Sequence, residues 1–238
     1  FDFEQAKREG VEFVIIRGAQ GTMKDDYFEA HYAAAKSAGL AVGCYLFGVE
    51  MSPQSAQETA EWFIENCLRD KQFEMPIYYD VEKFPYDTKR DMLSLDNKTL
   101  QETVKAFCST LEKAGYFAGV YSGKYIFLNQ LGADIYKRYT IWTALWGLED
   151  TQPVFGGVKS ALWQFGGSTN YLRDNKIAGR VCDQNYLYED FESIIKANKM
   201  NGFGDEVPAP EPEPIPATLT QEQFNAMLKI GLKQLLNF

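Results

Sequence analysis

Ile77-Tyr78-Tyr79-Asp80-Val81-Glu82, written IYYDVE, is a short apolar run that closes on two carboxylates spaced two residues apart. An apolar run of this length, with aromatic and β-branched residues, reads as a buried strand. Successive side chains on a strand point to opposite faces, so Asp80 and Glu82 share one face and Val81 takes the other. The strand therefore aims two acids at one place.

Around this strand the pattern alternates. The turn FEQAKREG precedes the strand-like EFVIIRG, and a helix is expected from Asp25 to Ala38, ended by Gly39. AVGCYLF follows as a strand, and Ser52-Pro53 supplies a capping residue and a first-turn proline for the helix that leads to IYYDVE. A longer helix, KTLQETVKAFCSTLEKAG, then precedes FAGVYSG, and the apolar runs TIWTALW and SALWQFG come after it. Such βαβα alternation implies parallel strands covered by helices, as in a barrel or a doubly wound sheet. A weak internal repeat supports it: AGLAVGCY (Ala38 to Tyr45) resembles AGYFAGVY (Ala114 to Tyr121), each with a helix-ending glycine, a strand and a second glycine inside that strand.

The chain of 238 residues, 45% hydrophobic and 15% aromatic, has ample material for a core. No run approaches the roughly 18 apolar residues of a membrane span, and no signal-peptide pattern is present. A net charge of -9 without clustered Lys and Arg argues against nucleic acid as a partner. An uncharged or weakly charged polymer fits better. The single histidine, His31, sits in a helical stretch with no visible triad partners and reads as structural or solvent-facing. Cys44, Cys67, Cys108 and Cys182 fall singly in apolar patterns with no CxxC pair, so they read as small hydrophobes and give no metal signature. No cofactor is expected. Residues 201–218 include DEVPAPEPEPIPAT, an acidic, proline-rich extended linker. Residues 219–238 read as a short amphipathic helix, with a capping box at Thr220 and Gln223 and a staple from Leu219 to Phe224. A lone helix of that length is marginal in water, so it is expected to self-associate or meet a protein partner.

FVIIRGAQGT, KSAGLAVGCYLF, PIYYDVE, YSG, IWTALW, LWQFG and CDQNYLY occur in the order expected of glycoside hydrolase family 25, which the chain resembles from Phe1 to about Ala197. The most specific parts are the DxE closing a strand and the late Asp in DxN. The resemblance implies an irregular TIM-like (β/α) barrel over residues 1–200. It implies a muramidase that cleaves the β-1,4 bond between N-acetylmuramic acid and N-acetylglucosamine of peptidoglycan. Such an enzyme acts outside the cell or on the cell wall, as a phage endolysin or an autolysin. Position by position, Glu82 matches the general acid. Asp80 matches its partner, which stabilises positive charge or orients the substrate N-acetyl group. Asp183 matches the family's late aspartate, at the end of the last barrel strand. The chemistry independently needs these types, because an oxocarbenium-like state requires a protonated carboxyl at the leaving oxygen and an ionised one facing the developing charge. Sugar rings stack on flat side chains, which makes Tyr45, Phe47, Tyr79, Tyr121, Trp142 and Trp163 the candidate substrate-binding residues.

Two departures accompany the resemblance. The family's opening strand, with an aspartate in a DxS-type motif, has no counterpart before Phe1, so the barrel is expected to lack that strand unless a preceding segment supplies it. An acid often found near Gln20 is replaced by a neutral residue. A chitinase reading is weaker, because several acids at alternate positions before the Glu are absent. A wall-binding or structural module is the alternative from another class.

Overall fold

The computed structural model describes residues 1–146, 152–167 and 176–204. The expected proline-rich linker beyond 204 and the helix over 219–238 lie outside these residues.

Seven strands carry the architecture: β1 (Phe13–Gln20), β2 (Ala41–Phe47), β3 (Ile77–Asp80), β4 (Ala118–Gly123), β5 (Thr140–Ala144), β6 (Leu162–Gly166) and β7 (Gln184–Leu187). They lie side by side in chain order, with Met23–Lys24 folded back antiparallel on the end of β1, so that eight strands form one curled sheet. β1 to β6 are parallel, as the βαβα pattern implies, whereas β7 runs antiparallel to β6. Among the described residues of the stretch between those last two strands, Lys176–Ile177 pairs antiparallel with Arg180–Val181.

Helices α1 (Phe3–Arg8), α2 (Phe28–Ser37), α3 (Pro53–Phe63), α4 (Asn97–Lys113) and α5 (Phe191–Ala197) include those that cover the outer face. Their starts follow from local chemistry. Asp2 accepts the Gln5 amide, Ser52 and Ser55 form a reciprocal capping box ahead of Pro53, and Asp96 accepts the Thr99 amide. Both halves of the internal repeat end a helix in the same way. Gly39 and Gly115 adopt the left-handed conformation (φ 72° and 84°) that lets the chain leave α2 and α4. The second glycines serve packing: a Cβ at Gly43 would meet Ile15 Cδ1 at 2.5 Å, and one at Gly119 would meet the Tyr78 ring at 2.5 Å.

Alternation along β3 divides the core. Tyr79 points outward and stacks on Phe107 of α4, with centroids 3.9 Å apart. Tyr78 points inward and joins Tyr121, Trp142 and Leu162 in an aromatic cluster that fills the inside of the curl.

The sheet does not close. β7 ends it on one side and β1, with Met23–Lys24 on its far end, on the other, and a cavity of about 770 Å³ is lined by residues 13–17 of β1 and by Asp183 and residues 184–187 of β7. The sheet is a half-barrel.

Candidate active site

Parallel pairing brings the carboxylate end of β3 level with its neighbours. Phe47, Asp80, Tyr121, Trp142 and Leu162 are register partners across β2 to β6 and form one tier, in which Phe47 and Asp80 are the last residues of their strands. β3 stops at Asp80, so Glu82 stands two residues beyond the ladder. Two hydrogen bonds fix that extension: the Val81 amide donates to Tyr121 O at 2.9 Å, and Ser122 Oγ donates to Val81 O at 2.7 Å. Both acids consequently line the cavity, as does Asp183. Asp183 stands immediately before β7, because that strand runs antiparallel and its start, not its end, reaches the mouth. It packs so closely on Gly167 that a Cβ there would lie 1.8 Å from Oδ1.

The three acids occupy different surroundings. Asp80 is only 4% exposed, and its Oδ1 has no hydrogen-bond partner among the described residues. Burial first, and then the charge of Glu82, raise its carboxyl well above the ordinary range, while Arg17 pulls the other way. Glu82 is less enclosed. Burial first and then the charge of Asp183 raise its pKa, while Tyr121 works the other way. Beyond burial, the neighbouring charges act differently on the two: the Arg17 cation favours ionised Asp80, and the Asp183 anion disfavours ionised Glu82. Arg17 is held by a two-pronged contact with Asp25, at 2.9 and 2.8 Å.

Of the aromatics expected to bind substrate, Tyr45, Tyr121 and Trp142 line the cavity. Trp142 stands between the other two, 6.2 Å from Tyr45 and 4.4 Å from Tyr121, and its Nε1 donates to Asn185 Oδ1 at 2.8 Å. The other three are placed elsewhere. Tyr79 is fully buried on the outer face, where its hydroxyl donates to Glu50, because it alternates with the inward Tyr78. Trp163 is also on the outer face of its strand, 2% exposed, and donates to Leu145 O. Phe47 packs against Phe84 in the loop after β3 and is absent from the cavity lining.

His31 packs edge-on against Phe3 and stacks on Tyr27, a structural setting. All four cysteines are free, and no metal-binding cluster occurs among the described residues. Gln20 ends β1 opposite Phe47.

Three residues of the site had gone unnoticed in the sequence. Arg17 is a lone charge closing an apolar run, and Gln164 a lone polar residue inside LWQFG, and either could have been singled out on that ground. Asn185 gives no such signal. Gln164 is 4% exposed and bonded to Tyr121, Trp146 and Asp183.

A cleft floored by aromatics and rimmed by three carboxylic acids suits a sugar polymer and acid-assisted cleavage. A model of the family described as glycosyl hydrolases family 25 matches residues 1–173. Among solved structures, the chain resembles the bacterial lysozyme from Streptomyces coelicolor at 22% identity and a TM-score of 0.67, covering 85% of this chain and 92% of that one. It resembles a muramidase from Acremonium alcalophilum at 20% identity and a TM-score of 0.66, covering 86% and 94%. A third likeness is to the modular autolysin LytC from Streptococcus pneumoniae, solved with a synthetic peptidoglycan ligand, at 24% identity and a TM-score of 0.65, covering 78% and 42%. At these identities the likeness speaks for the fold. A comparison with curated proteins gave no match.

Proposed function

The chain belongs to glycosyl hydrolases family 25 and is a glycoside hydrolase, and from that premise we propose that it cuts peptidoglycan at the β-1,4 bond between N-acetylmuramic acid and N-acetylglucosamine. The observation that carries this reading is the convergence of Asp80, Glu82 and Asp183 on one cavity floored by Tyr45, Tyr121 and Trp142.

In this mechanism the glycan lies across the aromatic floor. Glu82, protonated and the more accessible member of the β3 pair, donates its proton to the leaving glycosidic oxygen as the C1–O bond breaks. The bonding electrons go to that oxygen, and the ring oxygen shares the positive charge left at C1. Asp80 and Asp183, ionised, face that charge, with Asp80 also able to orient the N-acetyl group. A water then bonds to C1 and gives up one proton to a carboxylate of the site, which neutralises the charge at C1 and restores the proton that Glu82 gave to the leaving oxygen. Arg17 favours ionised Asp80 and so helps keep the proton on Glu82. The place of action is the bacterial wall, outside the cytoplasm of the target cell. Among the described residues no helix is long and apolar enough to cross a membrane.

Glu82→Gln tests the assignment, since an amide cannot donate a proton as a carboxylic acid does. Reducing sugar released from purified peptidoglycan should fall more than about a hundredfold with the fold unchanged. Equal rates would remove Glu82 from the role. The alternative is a module that holds the wall without cutting it. Wall binding with no new reducing ends from the unaltered chain would establish that reading instead.

A further inference from the structure

Asn185 enters the cavity from the inner face of β7, and Leu187, its next neighbour on that face, packs against the aromatic cluster. Its Oδ1 accepts from Trp142 Nε1 at 2.8 Å. An indole nitrogen can only donate, so this end of the side chain must be the carbonyl oxygen and the other end the amide nitrogen. The ring it holds has little freedom. Trp142 is 5% exposed and packed by Tyr45, Tyr78 and Tyr121, with centroids 6.2, 5.3 and 4.4 Å away. Turning the Asn185 amide over would set its nitrogen against the indole N–H, donor against donor, so the NH2 group is held in one direction. That nitrogen donates to none of the described residues, yet it is not sealed off as Asp80 Oδ1 is: it is reached from the cavity.

We propose that Asn185 is a substrate-binding residue that sets specificity for N-acetylated sugars: its amide nitrogen donates to the carbonyl oxygen of an acetamido group, while its carbonyl end holds Trp142 in the aromatic floor. This rests on the hydrolase reading above, in which the glycan lies across that floor. The acetamido carbonyl is the one carbonyl that both sugars of the polymer carry, and a neutral amide N–H is a matched donor for it. Ionised acids only accept hydrogen bonds and cannot serve it. Asp80 and Asn185 thus offer the two kinds of partner that acetamido groups need, an acceptor for N–H and a donor for C=O. Because the side chain that carries the donor also fixes the ring, a sugar stacked on Trp142 meets a donor already in place, and little ordering is left to do on binding.

Calorimetric binding of a soluble tetrasaccharide of alternating N-acetylglucosamine and N-acetylmuramic acid tests this. The full chain carries Glu82→Gln, so that the glycan is not consumed, with Asn185 kept or replaced by Asp or Leu. The same glycan stripped of its acetyl groups is the comparison, at about 0.5 M salt to screen the amines it then carries. With Asn185 kept, the acetylated glycan should bind about tenfold or more tightly than the stripped one. Asn185→Asp still accepts from Trp142 but cannot donate, so the acetylated glycan should bind about tenfold or more weakly, with Tm and tryptophan emission unchanged. Asn185→Leu, which is uncharged, loses both ends, and tryptophan emission should shift as well. In both variants the gap between the two glycans should close. If Asn185→Leu does not fold, Asn185→Asp decides alone. The inference is overturned by a gap that persists in Asn185→Asp, by no binding of the acetylated glycan with Asn185 kept, or by a fall equal for both glycans, which would leave Asn185 as a support for Trp142 only. Absence of new reducing ends from the unaltered chain would overturn the hydrolase reading, while the binding comparison still decides this one.

Discussion

Asp80→Asn is expected to stabilise the protein at neutral pH while abolishing wall lysis. The carboxyl is almost fully enclosed, Oδ1 lacks a partner among the described residues, and burial together with Glu82 holds its pKa well above the ordinary carboxylate range. An acid whose folded pKa exceeds its unfolded one holds its proton more tightly in the native state. Below about pH 4 both states are protonated and the group costs nothing. As pH rises through the folded pKa the native state has to ionise a buried acid, and stability drops to a lower plateau. Asparagine has the same shape and no charge, so it avoids the loss. The gain is the cost of ionising the buried carboxyl, which asparagine does not bear, and each pH unit by which folding raises an acid is worth about 1.4 kcal/mol. For a domain of roughly 200 residues each kcal/mol moves Tm by about 2–4 °C, so the gain at pH 7 should be at least about 3 °C. Thermal unfolding followed by circular dichroism, across about pH 3.5 to 8, should show two curves that converge in acid and separate as pH rises. A variant less stable than the parent at pH 7, or a gap equal at both ends, would refute the reasoning.

Tyr79→Phe removes the hydroxyl that bonds the buried Glu50 and should cost about 1–3 kcal/mol in urea unfolding while specific activity per folded molecule stays level. A selective rise in KM would return Tyr79 to the groove. Gly167→Ala puts a methyl where Asp183 Oδ1 lies, so it should cut peptidoglycan cleavage at least tenfold with little change in Tm; unaltered cleavage would show that Asp183 has room to spare or no part in the reaction.

Much of the site was legible because its signals are local. The alternation rule alone put Asp80 and Glu82 on one side, and both line the cavity even though β3 ends at Asp80. The repeated glycines marked helix ends and strand interiors, and the structure gives each a reason: a left-handed φ at Gly39 and Gly115, and close approach at Gly43 and Gly119. The aromatics were harder. Strand residues of similar composition differ only in which face they take, so composition does not separate Tyr79 or Trp163 from Tyr121 or Trp142; the family resemblance does, placing Tyr45, Tyr121 and Trp142 near the mouth, where they line the cavity.

By itself the sequence determined the βαβα order, the helix caps and the pairing of two acids at a strand end, because these depend on neighbours within a few residues. Only the tertiary structure decided that β7 runs antiparallel, so that Asp183 enters the mouth from the start of its strand. It also decided that one glutamine from β6 meets a tyrosine from β4 and an aspartate ahead of β7. Those contacts join residues 43 and 19 positions apart, and strand register and sheet curvature, rather than any local preference, set the distance between them.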